Sequence, residues 1–264
     1  MTLPSASALI VSATMAVAAG LVGAYALMRR LTLAADAISH VALPGIGVAL
    51  MIHVQPILGA LVMLLLGATL IWDLGRRTHL ATETITGVVF ATALAVGSMI
   101  TPGEELIDAL FGDPSGMSPL EAVLGVVAAL GIATYILWRR NAMVLSLVSR
   151  EVAHTAGINV DRLDLEYLLI FALTVALGLR YLGALLMGSL VIIPPAAARR
   201  LAGGLRGMLV LSALVSLGAT LTGMFVAPLI GQKTGPVIVV AAASLFLLSL
   251  VPLPGVLRRR AGPP

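Results

Sequence analysis

The chain has 264 residues, 59% of them hydrophobic and only 11% charged, with 16 Lys and Arg against 12 Asp and Glu and no cysteine. A soluble domain carries about a quarter charged residues, so this composition excludes a water-soluble enzyme and places nearly the whole chain in a bilayer. The surplus of four positive charges does not point to nucleic acid, because the basic residues stand as short pairs beside apolar runs, and without thiols any bound metal relies on oxygen or imidazole.

A helical span needs about 20 apolar residues. Such runs fall at roughly 8–28, 33–53, 56–73, 84–101, 119–138, 166–181, 183–198, 207–228 and 235–252. They predict an all-α, polytopic transmembrane helical bundle with about eight or nine spans, 166–198 reading either as two spans or as one span plus a re-entrant hairpin. The whole chain, 1–264, reads as a single transmembrane domain. No basic region precedes the first apolar run, and Arg29-Arg30 follow it, so this segment is expected to stay as a span and not to be cleaved as a signal.

The basic groups alternate with the spans: Arg29-Arg30, Arg76-Arg77, Arg139-Arg140 with Arg150 and Arg162, Arg199-Arg200 with Arg206, and Arg258-Arg259-Arg260. The opposite loops hold just Arg180 and Lys233. The positive-inside rule then sets the N-terminus outside and the C-terminus in the cytoplasm of an inner-membrane protein.

Within the second run, Asp36 and His40 lie four residues apart, a spacing that stacks both side chains on one helix face. An Asp in hydrocarbon costs about 3 kcal/mol or more, so it must face the bundle interior or water. A carboxylate oxygen and a neutral imidazole are together ligands for a divalent ion such as zinc or manganese. The alternative is a capping Asp and a buried His that satisfies its neighbours. Pro44 stands four residues past His40 and removes the helical hydrogen bond to that carbonyl.

Ala16, Gly20 and Ala24 recur at helix-packing spacing in the first span. The loop 101–118 carries Glu104, Glu105, Asp108 and Asp113 and reads as a solvated connector. His53 and His79 read as interfacial histidines. The segment 139–165 is expected to be the longest inner loop, with a short amphipathic helix stopped at Gly157.

Pro194 and Pro195 interrupt another apolar run and free carbonyls near Leu190 and Val191, which predicts a broken helix beside protein or a water-lined cavity. No Gly-rich phosphate loop is present, since Gly231-Gln232-Lys233-Thr234 lacks the earlier glycine. No nucleophilic triad or zinc-protease motif can be assembled either, so the chain is not expected to be an enzyme.

Four stretches carry a family resemblance: Arg29 through Asp36 and His40 to Gly45, Leu110-Phe111-Gly112-Asp113, Gly183 through Pro194 to Arg200, and Gly235-Pro236. In this order the chain resembles the membrane permease subunit of bacterial ABC importers for zinc, manganese or iron. That resemblance implies a homodimer in the lipid bilayer and two cytoplasmic ATP-binding subunits that bind and hydrolyse the ATP. It also implies a periplasmic or surface metal-binding protein that delivers Zn2+, with Mn2+ or Fe2+ as alternatives. No permanently bound cofactor is expected.

The resemblance further implies that Asp36 and His40 match the family's intramembrane metal pair and that Pro44, Pro194 and Pro195 serve gating. Ser149, Glu151, Ala153 and Gly157, in a segment near 146–160, match a loop coupled to the ATPase. Val152 departs from the alanine of that pattern, and Gly231 stands where several relatives carry an acid. Outside the family, Asp36 and His40 would serve a proton-coupled secondary transporter as a relay.

Overall fold

The computed structural model describes residues 5–31, 37–78, 80–101 and 118–251. Expectations for Asp36, for His79, for Glu104, Glu105, Asp108 and Asp113, for residues 110–113 and for Arg258–Arg260 fall outside the described residues.

The described chain is all-helical, as expected. In order come α1 (Ala6–Met28), α2 (Ala42–Met51), α3 (Pro56–Thr78), α4 (Thr82–Ile100), α5 (Pro119–Val148), α6 (Arg150–Thr155), α7 (Val160–Leu182), α8 (Ala184–Leu201), α9 (Leu205–Ile230) and α10 (Thr234–Leu250). Local chemistry sets several ends. Ser118 accepts from the Glu121 amide at 3.3 Å while the Glu121 carboxylate accepts from the Ser118 amide at 2.9 Å. With Pro119 following, this capping box starts α5.

The core is organised around α1, which packs against α5, α7, α8 and α9. Of its most apolar stretch of 18 residues, 61% are buried. Ala16, Ala18, Ala19, Gly20, Gly23 and Ala24 keep its girth small, so neighbouring backbones approach closely. At Gly20 an added Cβ would stand 2.8 Å from the Ser212 carbonyl of α9, and the Ser212 hydroxyl donates to the Gly20 carbonyl at 2.6 Å. The small-residue spacing read from the sequence is thus a working helix contact.

A second unit lies to one side. Helix α2 packs on α3 and α4, α4 packs on α3, and α3 joins the rest chiefly through α7. The backbones of α2 and α3 touch where Gly45 and Gly59 face each other, each glycine's missing Cβ leaving room for the other's carbonyl oxygen. Only 22% of α4's most apolar stretch of 18 residues is buried, and Val88, Leu94, Val96 and Met99 remain exposed.

The count of eight or nine spans is corrected. Among the described residues six helices are long and apolar enough to cross a membrane: α1, α3, α4, α5, α7 and α9. The run at 33–53 yields a shorter helix that turns at Val41, and the run at 235–252 yields 17 residues. The run at 183–198 becomes the 18-residue α8, with two internal prolines and Arg199-Arg200 in its last turn. Hydropathy counts apolar residues but is blind to where a turn or proline ends a helix.

The inner loop 139–165 is also corrected. Helix α5 runs past Arg139-Arg140 to Val148, 30 residues in all, or about 45 Å, and α7 already begins at Val160. Charged groups on these two helices pair instead of marking a loop: Glu166 of α7 accepts from Arg139 of α5 at 2.6 Å and from the Tyr135 hydroxyl.

Candidate functional site

His40 ends a helical turn, residues 37–40, before the chain turns at Val41. The Val41 amide donates to the Ile38 carbonyl at 3.0 Å, a tighter pattern than the α-helix, and α2 then starts at Ala42. Pro44, buried in the first turn of α2, has no N–H for the His40 carbonyl, and its ring disfavours an unbroken helix through this point.

The surroundings place His40 at middle depth. Its ring centroid lies 5.7 Å from that of Phe90, tilted by 58°, and Phe90 is near the midpoint of α4. The next residue, Val41, packs against Gly67, the midpoint of α3, where an added Cβ would lie 2.7 Å from a Val41 methyl. On the far side of the break the Thr101 hydroxyl donates to the Leu43 carbonyl at 3.1 Å and fixes the start of α2. His40 itself is partly exposed. Among the described residues no group of three or more His, Asp or Glu gathers around a common point.

Beyond this segment, toward the end of the molecule that carries Arg29, Arg76 and Arg150, Ile38, Tyr167, Phe171 and their neighbours enclose a crevice of about 10 Å³. That is at the lower limit for a single water, and its walls are apolar. Past it, sharing Leu31, Thr82 and Leu168, opens a cavity of about 750 Å³. Arg29, Arg30, Arg76, Arg150, Asp161 and Asp164 line it.

These charges form a connected set at the basic end. Asp164 of α7 accepts from Arg29, just past α1, at 2.6 Å and from Arg150, the first residue of α6, at 3.1 Å. The Arg29 and Asp164 side chains are only 11% and 23% exposed, so this pair is partly desolvated. Asp161, one turn earlier, accepts from Arg150 at 3.2 Å and lies 3.8 Å from Arg76 of α3. Its backbone carbonyl accepts from the Trp72 indole at 2.9 Å. Arg76 lies 4.8 Å from the centre of the Trp72 ring, and Arg29 stands equally far from that of Tyr167.

The short helix α6 is capped at both ends. Ser149 stops α5 and starts α6, its hydroxyl accepting from the Val152 amide at 3.2 Å. At the other end Gly157 takes φ +77°, a left-handed value that glycine adopts without strain. The Ile158 amide reaches back to the Ala153 carbonyl at 2.9 Å and the Gly157 amide to that of His154 at 3.0 Å. Ala153 is fully buried, which anchors the helix, while Glu151, Val152 and the preceding Val148 face outward. Six residues would not hold a helix without these caps.

The expected break at Pro194-Pro195 is corrected. Helix α8 continues through both prolines from Ala184 to Leu201. The missing Cβ of Gly23 on α1 admits the Val191 carbonyl and the Pro195 ring, so the helix is held against the core where its own hydrogen bonding is weakest.

Sequence reasoning singled out His40, Pro44 and the α6 residues, and it missed Asp161 and Asp164. The available signal was two carboxylates three apart near the start of a helix otherwise flanked by arginines, which share one helix face.

The description "ABC 3 transport family" matches residues 5–252. The high-affinity zinc uptake system membrane protein ZnuB of Haemophilus influenzae is 29% identical over 238 residues, covering 86% of this chain and 89% of that protein. The manganese import system permease protein ScaB of Streptococcus gordonii is 26% identical over 247 residues, covering 92% and 89%. In fold the chain is similar to a solved chain of PsaBC from Streptococcus pneumoniae in complex with Fab, with a TM-score of 0.83 at 24% identity over 96% of this chain and 93% of that one. The chain belongs to the ABC 3 transport family.

Proposed function

From that membership and the position of His40, we propose that the chain is the membrane permease subunit of an ATP-driven importer carrying a divalent transition metal, zinc foremost, from periplasm to cytoplasm. The observation that carries the reading is the family match across residues 5–252. The ZnuB likeness favours zinc, and the ScaB likeness keeps manganese as the second reading. Iron is the third.

In this reading residues 1–264 act as one permease domain, and two copies pair so that Asp36 and His40 of each supply two carboxylates and two imidazoles. Oxygen and nitrogen donors compensate an ion that has shed its water, and zinc outcompetes manganese at such a shared set. A metal-binding protein on the outer face therefore has to contribute to selectivity. The arginine-rich end is cytoplasmic by the positive-inside rule. Two ATP-binding subunits dock there on α6, where Val148 and Val152, 79% and 51% exposed, offer apolar surface beside Glu151. Ser149, Ala153 and Gly157 hold that surface in shape. The turn at Val41–Pro44 and the prolines of α8 are the points at which the helices change the exposed side.

The test is uptake of zinc, manganese and iron by the reconstituted complex with and without ATP. ATP-dependent uptake, zinc fastest, is expected. Uptake that follows a proton gradient without ATP would contradict the reading. Charge reversal at Glu151 should weaken co-purification of the ATPase, and unchanged co-purification would remove its docking role.

A further inference from the structure

We propose that Asp164, with Asp161, is a positioning residue that ties the movement of α6 to the α2–α4 unit carrying His40. The inference rests on the permease reading above.

Two observations carry it. The first is the packing: α2 and α4 reach the rest of the molecule mainly through α3, and α3 does so through α7. The seam between α3 and α7 is therefore the joint across which the His40 unit can be moved as one body. The second is the wiring at the basic end of that seam. Arg150 opens α6 and spreads its two terminal nitrogens over two carboxylates, 3.1 Å from Asp164 and 3.2 Å from Asp161. Each carboxylate has a further cationic partner. Asp164 holds Arg29, the residue that closes α1 and lies seven positions before Asp36. Asp161 lies beside Arg76 in the last turn of α3, and its carbonyl holds Trp72 one turn earlier on that helix.

A displacement of α6 must break the Arg150 fork or carry α7 with it and, through the two acids, the ends of α1 and α3. The cavity of about 750 Å³ along this set leaves the side chains room to exchange partners without repacking apolar core. Arg29 has reason to follow Asp164. Its Nε and Nη2 are buried without a hydrogen-bond partner among the described residues, and Asp164 is the carboxylate that compensates its charge. Exposed pairs taken singly count for little, but here three elements meet on two acids of one helical turn.

A set that merely staples helices would, when cut, lower the yield of complex and slow hydrolysis and uptake together. A positioning set lowers the number of metal ions moved per ATP hydrolysed. The experiment measures that ratio in reconstituted complex, with permease and ATPase both present, for Asp164→Asn, Arg150→Gln, the double variant and Asp164→Glu. Each single variant is expected to cut the ratio by at least about fivefold. The double variant should be no worse than the worse single, as for two residues acting through one contact. Asp164→Glu, which keeps the charge, should restore most of the ratio.

A wild-type ratio in Asp164→Asn overturns the proposal. Should that variant not assemble, Arg150→Gln decides alone, since its side chain is 62% exposed and a wild-type ratio there overturns the proposal equally. Loss of ATP-dependent uptake in the unsubstituted complex would instead sink the permease reading and this inference with it.

Discussion

Helix α1 and helix α4 are both apolar, yet 61% of the most apolar 18-residue stretch of one is buried and 22% of the other's. Around α1 four helices pack, and Gly20 and Gly23 bring α9 and α8 to backbone contact, locked by a hydroxyl on the Gly20 carbonyl. Helix α4 presents Val88, Leu94, Val96 and Met99 outward and holds its place through α2 and α3. The difference separates a scaffold, where any displacement disturbs several neighbours, from a three-helix unit joined mainly along one seam. His40 lies in the second. A group that must change its access between two sides of a membrane is better carried by the loosely joined unit, because closely packed cores do not deform continuously.

Substitutions can break this comparison. The largest effect is expected in the scaffold: Gly20→Leu drives a side chain into the Ser212 carbonyl and should cost about 3 kcal/mol or more, seen as loss of extractable folded protein. Gly45→Leu meets backbone closer still, at the Gly59 carbonyl, but should loosen α2 from α3 while α1 and its neighbours stay protected. Hydrogen exchange limited to residues 42–59 would confirm that, whereas global loss of protection would mean that the two units are one.

Ser212→Ala removes the bond to Gly20 and should lower stability by about 1 kcal/mol, read as a few degrees in thermal unfolding in detergent. The smallest effect is expected at Gly87 of α4, where an added Cβ meets nothing within 4 Å. Gly87→Ala should change stability by less than about 0.5 kcal/mol. A loss comparable to that of Gly20→Leu would show that the outer face of α4 is packed after all.

Much of this was legible before the fold. Hydropathy gave the all-helical membrane class, Gly157 the end of α6, and the spacing of Ala16, Gly20 and Ala24 the contact face of α1. Those signals are local, and the fold did not have to choose among partners to make them true. Span count was misread because hydropathy does not show where helices end: the described part of the 33–53 run is the short helix Ala37–Met51, and the 235–252 run gives 17 residues. The basic pair Arg139-Arg140 looked like a helix end, yet Glu166 gives Arg139 a partner that lets α5 continue. Asp161 and Asp164 went unnoticed for the same reason: Arg29 and Asp164 are 135 positions apart, and no window along the chain shows that they meet. Asp36 remains an assignment from sequence alone, outside the described residues.

The central claim is that the segment ending at His40 hands the ion across the membrane. It is tested most directly by zinc uptake through His40→Ala in the assembled, ATP-supplied complex, with ATP hydrolysis followed in the same vesicles. Uptake should fall at least about tenfold, the loss expected when one good metal ligand is removed, while hydrolysis continues. Zinc transported at the unsubstituted rate would contradict the claim.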